Sequence, residues 1–330
     1  MKTDFLHLND FSERELIELM DSADALRLSW IANKMPRNLC NRNVALIWDA
    51  GGFRNRVAFE LGIAAMGGKA VQIPGKLDSR ESIEDVVRYL TNWFHAIVAR
   101  TETHEQMMRL ARGASIPVIN ARTNHNHPCE ILADLTYIRA KRGSIDGLKV
   151  VFVGEPTNLC YPWCEAAAKL PISVVQVCPK GYEIDSIQIK AFSQSAKGEV
   201  LVSNELDSEL IGADVIYTDC WPHSLTEKDA ARITHDFAAY QVTSEKLHLA
   251  KPGCFFLLCP PVTRGEEVSE EVMQTCGATV YYDNAEMPGV IAVPVGAFAD
   301  PTFPPPRFSV YGARRHPWTI MPALTLEELD

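Results

Sequence analysis

From residue 44 the chain reads Val44-Ala45-Leu46-Ile47-Trp48-Asp49-Ala50-Gly51-Gly52-Phe53-Arg54-Asn55-Arg56-Val57-Ala58-Phe59-Glu60-Leu61. The apolar run predicts a buried strand, the glycine pair predicts a turn, and the residues after it have the spacing of a helix. Such a helix N-terminus can bind an anion, because its free backbone N–H groups point outward and the helix dipole favours negative charge. A plain helix-entry turn with solvated arginines is the alternative interpretation.

The same alternation of apolar runs and helical patterns continues along the chain. Further apolar runs lie at residues 70–73, 96–99, 117–119, 149–154, 173–177, 213–218 and 254–258. Strands that alternate with helices predict parallel sheets of the α/β class. We expect one domain over residues 1–142, a second over 143–299, and a proline-rich tail over 300–330. Near the N-terminus, Ser12 and Glu15 have the spacing of a capping box, which predicts a helix to about Asn33.

Composition limits the kinds of partner that the protein can have. The 330 residues have a formal net charge of −10, which argues against general affinity for nucleic acid or an anionic membrane. The first residues have no apolar signal segment, and no apolar run reaches the roughly 18 residues that span a bilayer. The nine cysteines have no C-x-x-C zinc spacing, which favours reduced thiols. We therefore expect a cytoplasmic protein with small-molecule substrates.

Two further motifs join the glycine-arginine turn at residues 52–56. They read Asn126-His127-Pro128-Cys129-Glu130-Ile131-Leu132-Ala133-Asp134 and Asp219-Cys220-Trp221. Together the three resemble the carbamoyl phosphate and amino-acid signatures of the aspartate/ornithine carbamoyltransferase superfamily. The resemblance covers residues 5 to 290 and implies two doubly wound parallel-sheet domains. It also implies a transferase that uses carbamoyl phosphate and an amine acceptor, needs no metal or other cofactor, and forms a homotrimer with sites at subunit interfaces.

The resemblance places the donor phosphate on the first motif. By it, Arg54 grips phosphate, while Gly52, Phe53 and Asn55 replace the family's hydroxyl residues that contact phosphate and carbonyl oxygens. Arg100 matches the arginine that bridges the phosphate and carbamoyl oxygens, and it ends a predicted parallel strand, where ligands bind in such sheets. Arg80 stands in the position of a lysine that enters the neighbouring subunit's site, although a solvated turn is the plainer interpretation.

The second motif implies the groups that act on the carbamoyl carbon. Pro128 is a favoured first helical residue, so His127 should face the sheet's C-terminal crevice. The resemblance makes His127 the donor that polarises the carbamoyl carbonyl, although a lone histidine is more often a capping or core residue. Glu130 replaces the family's glutamine. A carboxylate cannot donate hydrogen bonds, so Glu130 indicates a different electrophile, an acid/base role, or a pair with an arginine of the site.

The third motif implies the acceptor site. Asp219 matches the aspartate that contacts the acceptor's amino group, with His223 as an additional proton acceptor. Capping of the next helix is an equally good interpretation of Asp219. Asn158 and Cys259 also match acceptor-side positions. The sequence departs from the ornithine pattern at Leu159, Leu258 and Pro288. These departures argue against ordinary ornithine carbamoylation.

Two other classes of function remain open at this point. One is a diverged biosynthetic enzyme of the same fold, a lyase, dehydratase or amidino-transfer enzyme that uses Glu130 and His223 for proton transfer. The other is a non-catalytic homologue that binds an amino acid or a partner. Cys129 and Cys259 are candidate nucleophiles with His127, but no glycine-rich turn and no sequence pattern that lowers a thiol pKa marks either one.

Overall fold

The computed structural model describes residues 4–49, 51–78, 80–193, 197–224 and 226–275, together with two short paired strands, β10 (Phe308–Val310) and β11 (Glu327–Leu329). Within the main described ranges, the strands form two parallel sheets and helices connect successive strands. The predicted α/β class with two parallel-sheet domains is confirmed. None of the helices in the described part of the chain is long and apolar enough to cross a membrane.

The first sheet has four strands in the order β2-β1-β3-β4. Their bounds are β1 (Asn43–Trp48), β2 (Lys69–Ile73), β3 (Ala96–Arg100) and β4 (Val118–Arg122). Successive side chains of a strand point to opposite faces. Ala45 and Ile47 therefore pack with α3 (Ile83–Leu90) and α4 (His104–Gly113), whereas Val44 and Leu46 pack with α2 (Phe53–Ala65). Helices thus cover both faces, as in a doubly wound sheet.

The second sheet has five strands in the order β7-β6-β5-β8-β9. Their bounds are β5 (Lys149–Val153), β6 (Ser173–Val177), β7 (Glu199–Ser203), β8 (Val215–Thr218) and β9 (Phe255–Leu258). On one face Phe152 and Tyr217 pack with α6 (Cys160–Lys169), and on the other Val151 and Ile216 pack with α8 (Leu206–Leu210) and α11 (Glu270–Thr275). The remaining helices near this sheet are α7 (Ser186–Ser193), α9 (Glu227–Phe237) and α10 (Ser244–Leu247).

Two helices of the N-terminal part pack into the core of the second sheet. Met20 of α1 (Glu13–Ile31) and Ile131 of α5 (Pro128–Arg142) belong to the same apolar cluster as Phe152 of β5. Ten residues of α5 are buried, because the helix has neighbours on most of its surface. One continuous core therefore crosses the expected boundary at residues 142 and 143, and that boundary stays a prediction.

Local signals in the sequence agree with the structure at the ends of two helices. The Ser12 hydroxyl accepts from the Glu15 N–H at 3.3 Å, and the Glu15 carboxylate accepts from the Ser12 N–H at 2.8 Å, which confirms the capping box. Helix α5 begins at Pro128, as predicted. Strand β7 is not among the predicted strands: its apolar run, Val200-Leu201-Val202, is only three residues long, and Val200 alone is buried in this edge strand. The expected tail over residues 300–330 lies outside the described residues, except for β10 and β11.

Candidate functional site

A cleft of about 610 Å³ lies at the C-terminal ends of strands from both sheets. In an open parallel sheet these ends are the usual place for a ligand, since strand ends and helix N-termini meet there. The first-sheet side of the cleft is lined by Gly52, Asn55, Arg100, Arg122, Asn124 and His127. The second-sheet side includes Glu155, Asn158, Leu159, Asp219, His223 and Cys259. Most of the predicted donor and acceptor residues thus border one space.

Arg100 packs directly against the backbone of Gly52. Gly52 precedes α2 with φ 105° and ψ 58°, a left-handed conformation that glycine adopts without strain. A Cβ atom at this position would lie 2.4 Å from Cζ of Arg100, so the missing side chain makes room for the guanidinium group. Burial, and then the charge of Arg122, lower the pKa of Arg100 to about 10. Arg100 therefore remains a cation at neutral pH, held where an anion can reach it.

The first turn of α2 carries three predicted phosphate residues, Phe53, Arg54 and Asn55, and of these Asn55 alone lines the cleft. The Phe53 side chain is 68% exposed and does not line the cleft. The guanidinium carbon of Arg54 lies 5.0 Å from the centre of the Phe53 ring, a cation–π distance. Arg54 is near enough to Glu130 for its charge to oppose the rise in the pKa of that carboxyl. Arg56, in contrast, pairs with Glu60 at 3.0 Å on the helix surface.

His127 is buried at the entry to α5, with 2% of its surface exposed. Its side chain makes no capping hydrogen bond to the helix, so the capping interpretation does not hold. Its Nε2 atom lies 3.2 Å from Nδ2 of Asn55 and 3.6 Å from a carboxyl oxygen of Glu130. Burial, followed by the charges of Arg100 and Arg122, lowers the pKa of His127 well below its usual value. The imidazole is therefore neutral at physiological pH and retains one N–H donor.

Glu130 lies in the first turn of α5, 3% exposed, and is not among the residues that line the cleft, although its carboxyl lies 3.6 Å from His127, which does line it. The pKa of the Glu130 carboxyl is raised to about 7, chiefly by burial and to a smaller extent by the nearby Asp219. A hydrogen bond with Cys259 and the charges of Arg100 and Arg54 act in the opposite direction. Among the described residues Glu130 has no ion pair with an arginine, which argues against that interpretation. Its carboxyl gains or loses a proton near neutral pH.

Asp219 borders the opposite side of the cleft, directly after β8. Its carboxylate accepts a hydrogen bond from the N–H of Cys220 at 2.8 Å, and burial raises its pKa. The next helix, α9, is capped instead by Thr226, which accepts from the N–H of Asp229. The helix-capping interpretation of Asp219 is therefore wrong. A hydrogen bond with Thr157 opposes the rise in the pKa of Asp219, and a carboxylate has lone pairs enough to accept from a ligand amine as well.

Three other predicted acceptor-side residues have different surroundings. Asn158 is buried and donates its amide N–H to the backbone oxygen of Thr123 at 2.7 Å, so this amide group ties the two sides of the cleft together. His223 is exposed at the rim and lies near Glu155. Burial raises the pKa of the Cys259 thiol well above its ordinary value, and burial does the same for Cys129. Neither thiol is a ready nucleophile, because only the thiolate attacks efficiently.

Arg80 is the one predicted site residue that lies in a different concave region of the chain. It is exposed and lines a second cleft with Lys76, Tyr89 and Trp93. Arg80 does not line the main cleft, and its expected action in a neighbouring subunit stays a prediction.

Residues that sequence reasoning missed include Arg122 and Glu165. Arg122 ends β4 as Arg100 ends β3, so the same rule about strand ends could have found it. Glu165 of α6 had no signal in the sequence. Its carboxylate accepts from Nδ1 of His7 at 2.8 Å and from the side-chain amide of Asn126 at 2.7 Å. It also accepts from the N–H of Leu8 at 2.9 Å, so the loop before His127 is anchored to the second sheet's helices.

The sequence and fold both match known proteins over most of the chain. Residues 3–140 match the model of the carbamoyl-P binding domain of aspartate/ornithine carbamoyltransferase, and residues 146–288 match that of the Asp/Orn binding domain. An ornithine carbamoyltransferase of Chlorobaculum tepidum is 37% identical over 278 residues, which are 82% of this chain and 82% of that protein.

Two solved structures show the likeness of the folds. The ornithine carbamoyltransferase from Pyrococcus furiosus is 33% identical with a TM-score of 0.78, over 82% of this chain and 89% of that chain. The anabolic ornithine carbamoyltransferase from Campylobacter jejuni is 27% identical with a TM-score of 0.80, over 90% of this chain and 97% of that chain. The similarity therefore extends across both sheets.

Proposed function

Because the chain belongs to the aspartate/ornithine carbamoyltransferase family, we propose that it transfers a carbamoyl group from carbamoyl phosphate to the amine of an amino-acid-like acceptor other than ornithine. The observation that carries this proposal is the single cleft bordered by Arg100 and His127 on one side and by Asp219 on the other. Holding two reactants in one cleft supplies much of the rate of a group transfer, because it removes the entropic cost of their encounter.

On the donor side, Arg54, Arg100 and the N-terminus of α2 would hold the phosphate group. Arg100 is charged at neutral pH, and the backbone of Gly52 lies against its guanidinium group. The neutral His127 would donate its N–H to the carbamoyl oxygen. Charge develops on this oxygen as the amine attacks, and stabilising it is usually the largest catalytic contribution in acyl transfer.

Glu130 would act in its protonated form at the carbamoyl amide. A protonated carboxyl has one donor and one acceptor oxygen, so it can accept from the carbamoyl N–H as a glutamine oxygen does. A neutral group also avoids repulsion from the phosphate. The pKa of about 7 makes this form available at neutral pH and below.

In the reaction, the acceptor nitrogen forms a bond to the carbamoyl carbon while the bond from that carbon to the phosphate oxygen breaks. The products are the carbamoylated amine and inorganic phosphate. The attacking amine loses one proton, and the Asp219 carboxylate and the departing phosphate are the groups able to accept it. Asp219 would also orient the amine by accepting a hydrogen bond from it.

The acceptor is proposed to differ from ornithine because the residues expected to hold ornithine's carboxylate end are changed. Leu159 lines the cleft and is 2% exposed, so an apolar side chain replaces an amide there. Leu258 of β9 is 4% exposed and packs into the second core. Pro288 lies outside the described residues.

The donor is tested by calorimetric titration with carbamoyl phosphate and, separately, with inorganic phosphate. We expect carbamoyl phosphate to bind more tightly than phosphate, and Arg54→Ala to weaken its binding at least about tenfold through loss of a charge-assisted contact. Arg56→Ala is the matched control, because Arg56 pairs with Glu60 on the outer surface of the same helix. Absence of binding to the wild-type protein at about 1 mM ligand would refute the carbamoyl phosphate proposal.

Amidino transfer is a second candidate. It is favoured by the pKa of about 7 of Glu130, because part of this carboxyl is ionised at neutral pH. An ionised Glu130 offers two acceptor oxygens, and an amidino group presents more N–H donors than a carbamoyl group does. Turnover with an amidino donor that increases as Glu130 ionises would favour this candidate. A gain of carbamoyl transfer in Glu130→Gln would instead favour the carbamoyl reaction.

A further inference from the structure

Arg122 is a second cation in the cleft, next to Arg100. It is the last residue of β4, and its ladder partner on β3 is Arg100. Its side chain lines the cleft and is partly exposed. Within the described residues, no hydrogen bond or ion pair engages the guanidinium group of Arg122. A buried or half-buried cation without a partner is costly, so an anionic ligand at this place would be stabilised.

The groups around Arg122 divide the cleft into two regions. Its charge lowers the pKa of His127 and of Arg100, which belong to the donor side. The same charge opposes the rise in the pKa values of Asp219 and Cys259, which belong to the acceptor side. Glu130, in contrast, responds to Arg100 and Arg54. Arg122 therefore lines the cleft at the end of β4, beside Arg100, and its charge acts on residues of both sides of the cleft.

We propose that Arg122 binds the carboxylate of the acceptor, and that the acceptor is a short amino acid whose reacting amine is one or two carbons from that carboxylate. The proposal rests on the carbamoyl transfer proposed above and names its acceptor class. A guanidinium group presents a planar fork of N–H donors that matches a carboxylate. Asp219 would hold the amine, and Arg122 would hold the anion beside it.

This geometry separates a short amino acid from ornithine. In ornithine the reacting terminal amine is separated from the carboxylate by a chain of four carbons, so the carboxylate would lie far from the reacting carbon. The apolar Leu159 lines the cleft on the second-sheet side. The side chain of Leu159 cannot pair with the distant carboxylate of a bound ornithine. A carboxylate adjacent to the amine would instead meet Arg122.

The test is a panel of amine acceptors assayed by phosphate release from carbamoyl phosphate. The panel contains glycine, β-alanine, L-2,3-diaminopropionate, L-aspartate and L-ornithine, with methylamine and ethylamine as counterparts that lack the carboxylate. We expect the wild type to prefer a short carboxylate-bearing amine over its counterpart by at least about tenfold in kcat/KM. In Arg122→Leu this preference should disappear, while Arg122→Lys should restore part of it.

Carbamoyl phosphate binding separates this proposal from the reaction itself. Arg122→Leu should bind carbamoyl phosphate within about twofold of wild type by calorimetry, since Arg54 and Arg100 hold the phosphate. If Arg122→Leu and Arg54→Ala lose carbamoyl phosphate affinity equally, Arg122 binds the phosphate and the proposal is overturned. The proposal is also overturned if the wild type prefers ornithine to the short amino acids, or if Arg122→Leu still prefers carboxylate-bearing amines to their counterparts. If carbamoyl phosphate fails to bind, the proposed function fails, and thermal-shift titration of the amino acids against wild type and Arg122→Leu decides the Arg122 proposal.

Discussion

At the residue scale, Glu130 changes the chemistry of the site most directly. Its carboxyl has an ordinary pKa of 4.5, which burial raises to about 7 in the folded protein. The next turn of α5 carries Asp134, whose pKa is also raised, first by burial and then by the charge of Glu130. Two buried carboxyl groups one turn apart do not ionise together readily, because each disfavours the charge of the other.

The variant Glu130→Gln should change the pH dependence of stability. Between about pH 4.5 and 7 the folded protein keeps a proton on Glu130 that the unfolded chain has lost, so the free energy of unfolding falls as pH rises through this window. Glutamine removes this loss, which we expect to be about 3 kcal/mol by pH 8. Thermal unfolding of both proteins at about pH 5 and pH 8 measures it. A difference in melting temperature that is identical at the two pH values would contradict the assignment.

At the scale of elements, the loop between β4 and α5 is held in place by α6. Glu165 of α6 accepts hydrogen bonds from His7, Leu8 and Asn126, and Asn126 directly precedes His127. His7 also lies 3.1 Å from His104 of α4, measured between their Nε2 atoms. The position of the proposed carbonyl donor therefore depends on contacts among the N-terminal segment and two helices that are distant in sequence.

The variant Glu165→Gln should weaken catalysis through position. Glutamine turns one acceptor oxygen into a donor facing other donors, which we expect to cost about 1–3 kcal/mol of stability. The value of kcat should fall about tenfold, while carbamoyl phosphate binding changes little, because Arg54 and Arg100 lie on other elements. The control is Glu13→Gln, which removes an exposed ion pair with Lys197. An unchanged kcat in a destabilised Glu165→Gln protein would reduce Glu165 to a structural role.

At the scale of the whole molecule, we propose a homotrimer in which Arg80 completes the cleft of a neighbouring subunit. Arg80 does not line the main cleft of its own chain, and it borders an exposed region that contains Tyr89 and Trp93, with 66% and 60% of their surfaces exposed. Large exposed aromatic side chains are typical of protein interfaces.

Mixed oligomers test this shared site. Arg80→Ala and Arg100→Ala chains should each be inactive alone. When both are coexpressed in equal amounts, about a quarter of the sites should combine an intact Arg100 with an intact Arg80 from the neighbour, which restores that fraction of activity. Light scattering should give the mass of a trimer. A monomeric mass, or coexpressed variants that stay inactive, would refute the shared site.

The sequence by itself determined the features that depend on neighbouring residues. Apolar runs bounded by turns predicted most of the strands, and the alternation with helices predicted the α/β class. The capping box at Ser12 and the helix start at Pro128 depend only on residues within one helical turn, so the sequence shows them directly. The motifs at Arg54, His127 and Asp219 pointed to three strand ends, because parallel strands direct their C-terminal ends to one edge.

Tertiary structure alone decided which of these side chains meet and what charge they carry. Strand β7 has an apolar run of only three residues, too short a signal to predict a strand, and it forms by pairing with β6. The neutral His127 and the raised pKa of Glu130 depend on burial and on charges from other elements. Arg122 lines the cleft, and Glu165 holds the loop before His127 although it is distant from that loop in sequence. The physical reason is that burial and electrostatic interaction act across space, so only the folded chain sets the distances that determine them.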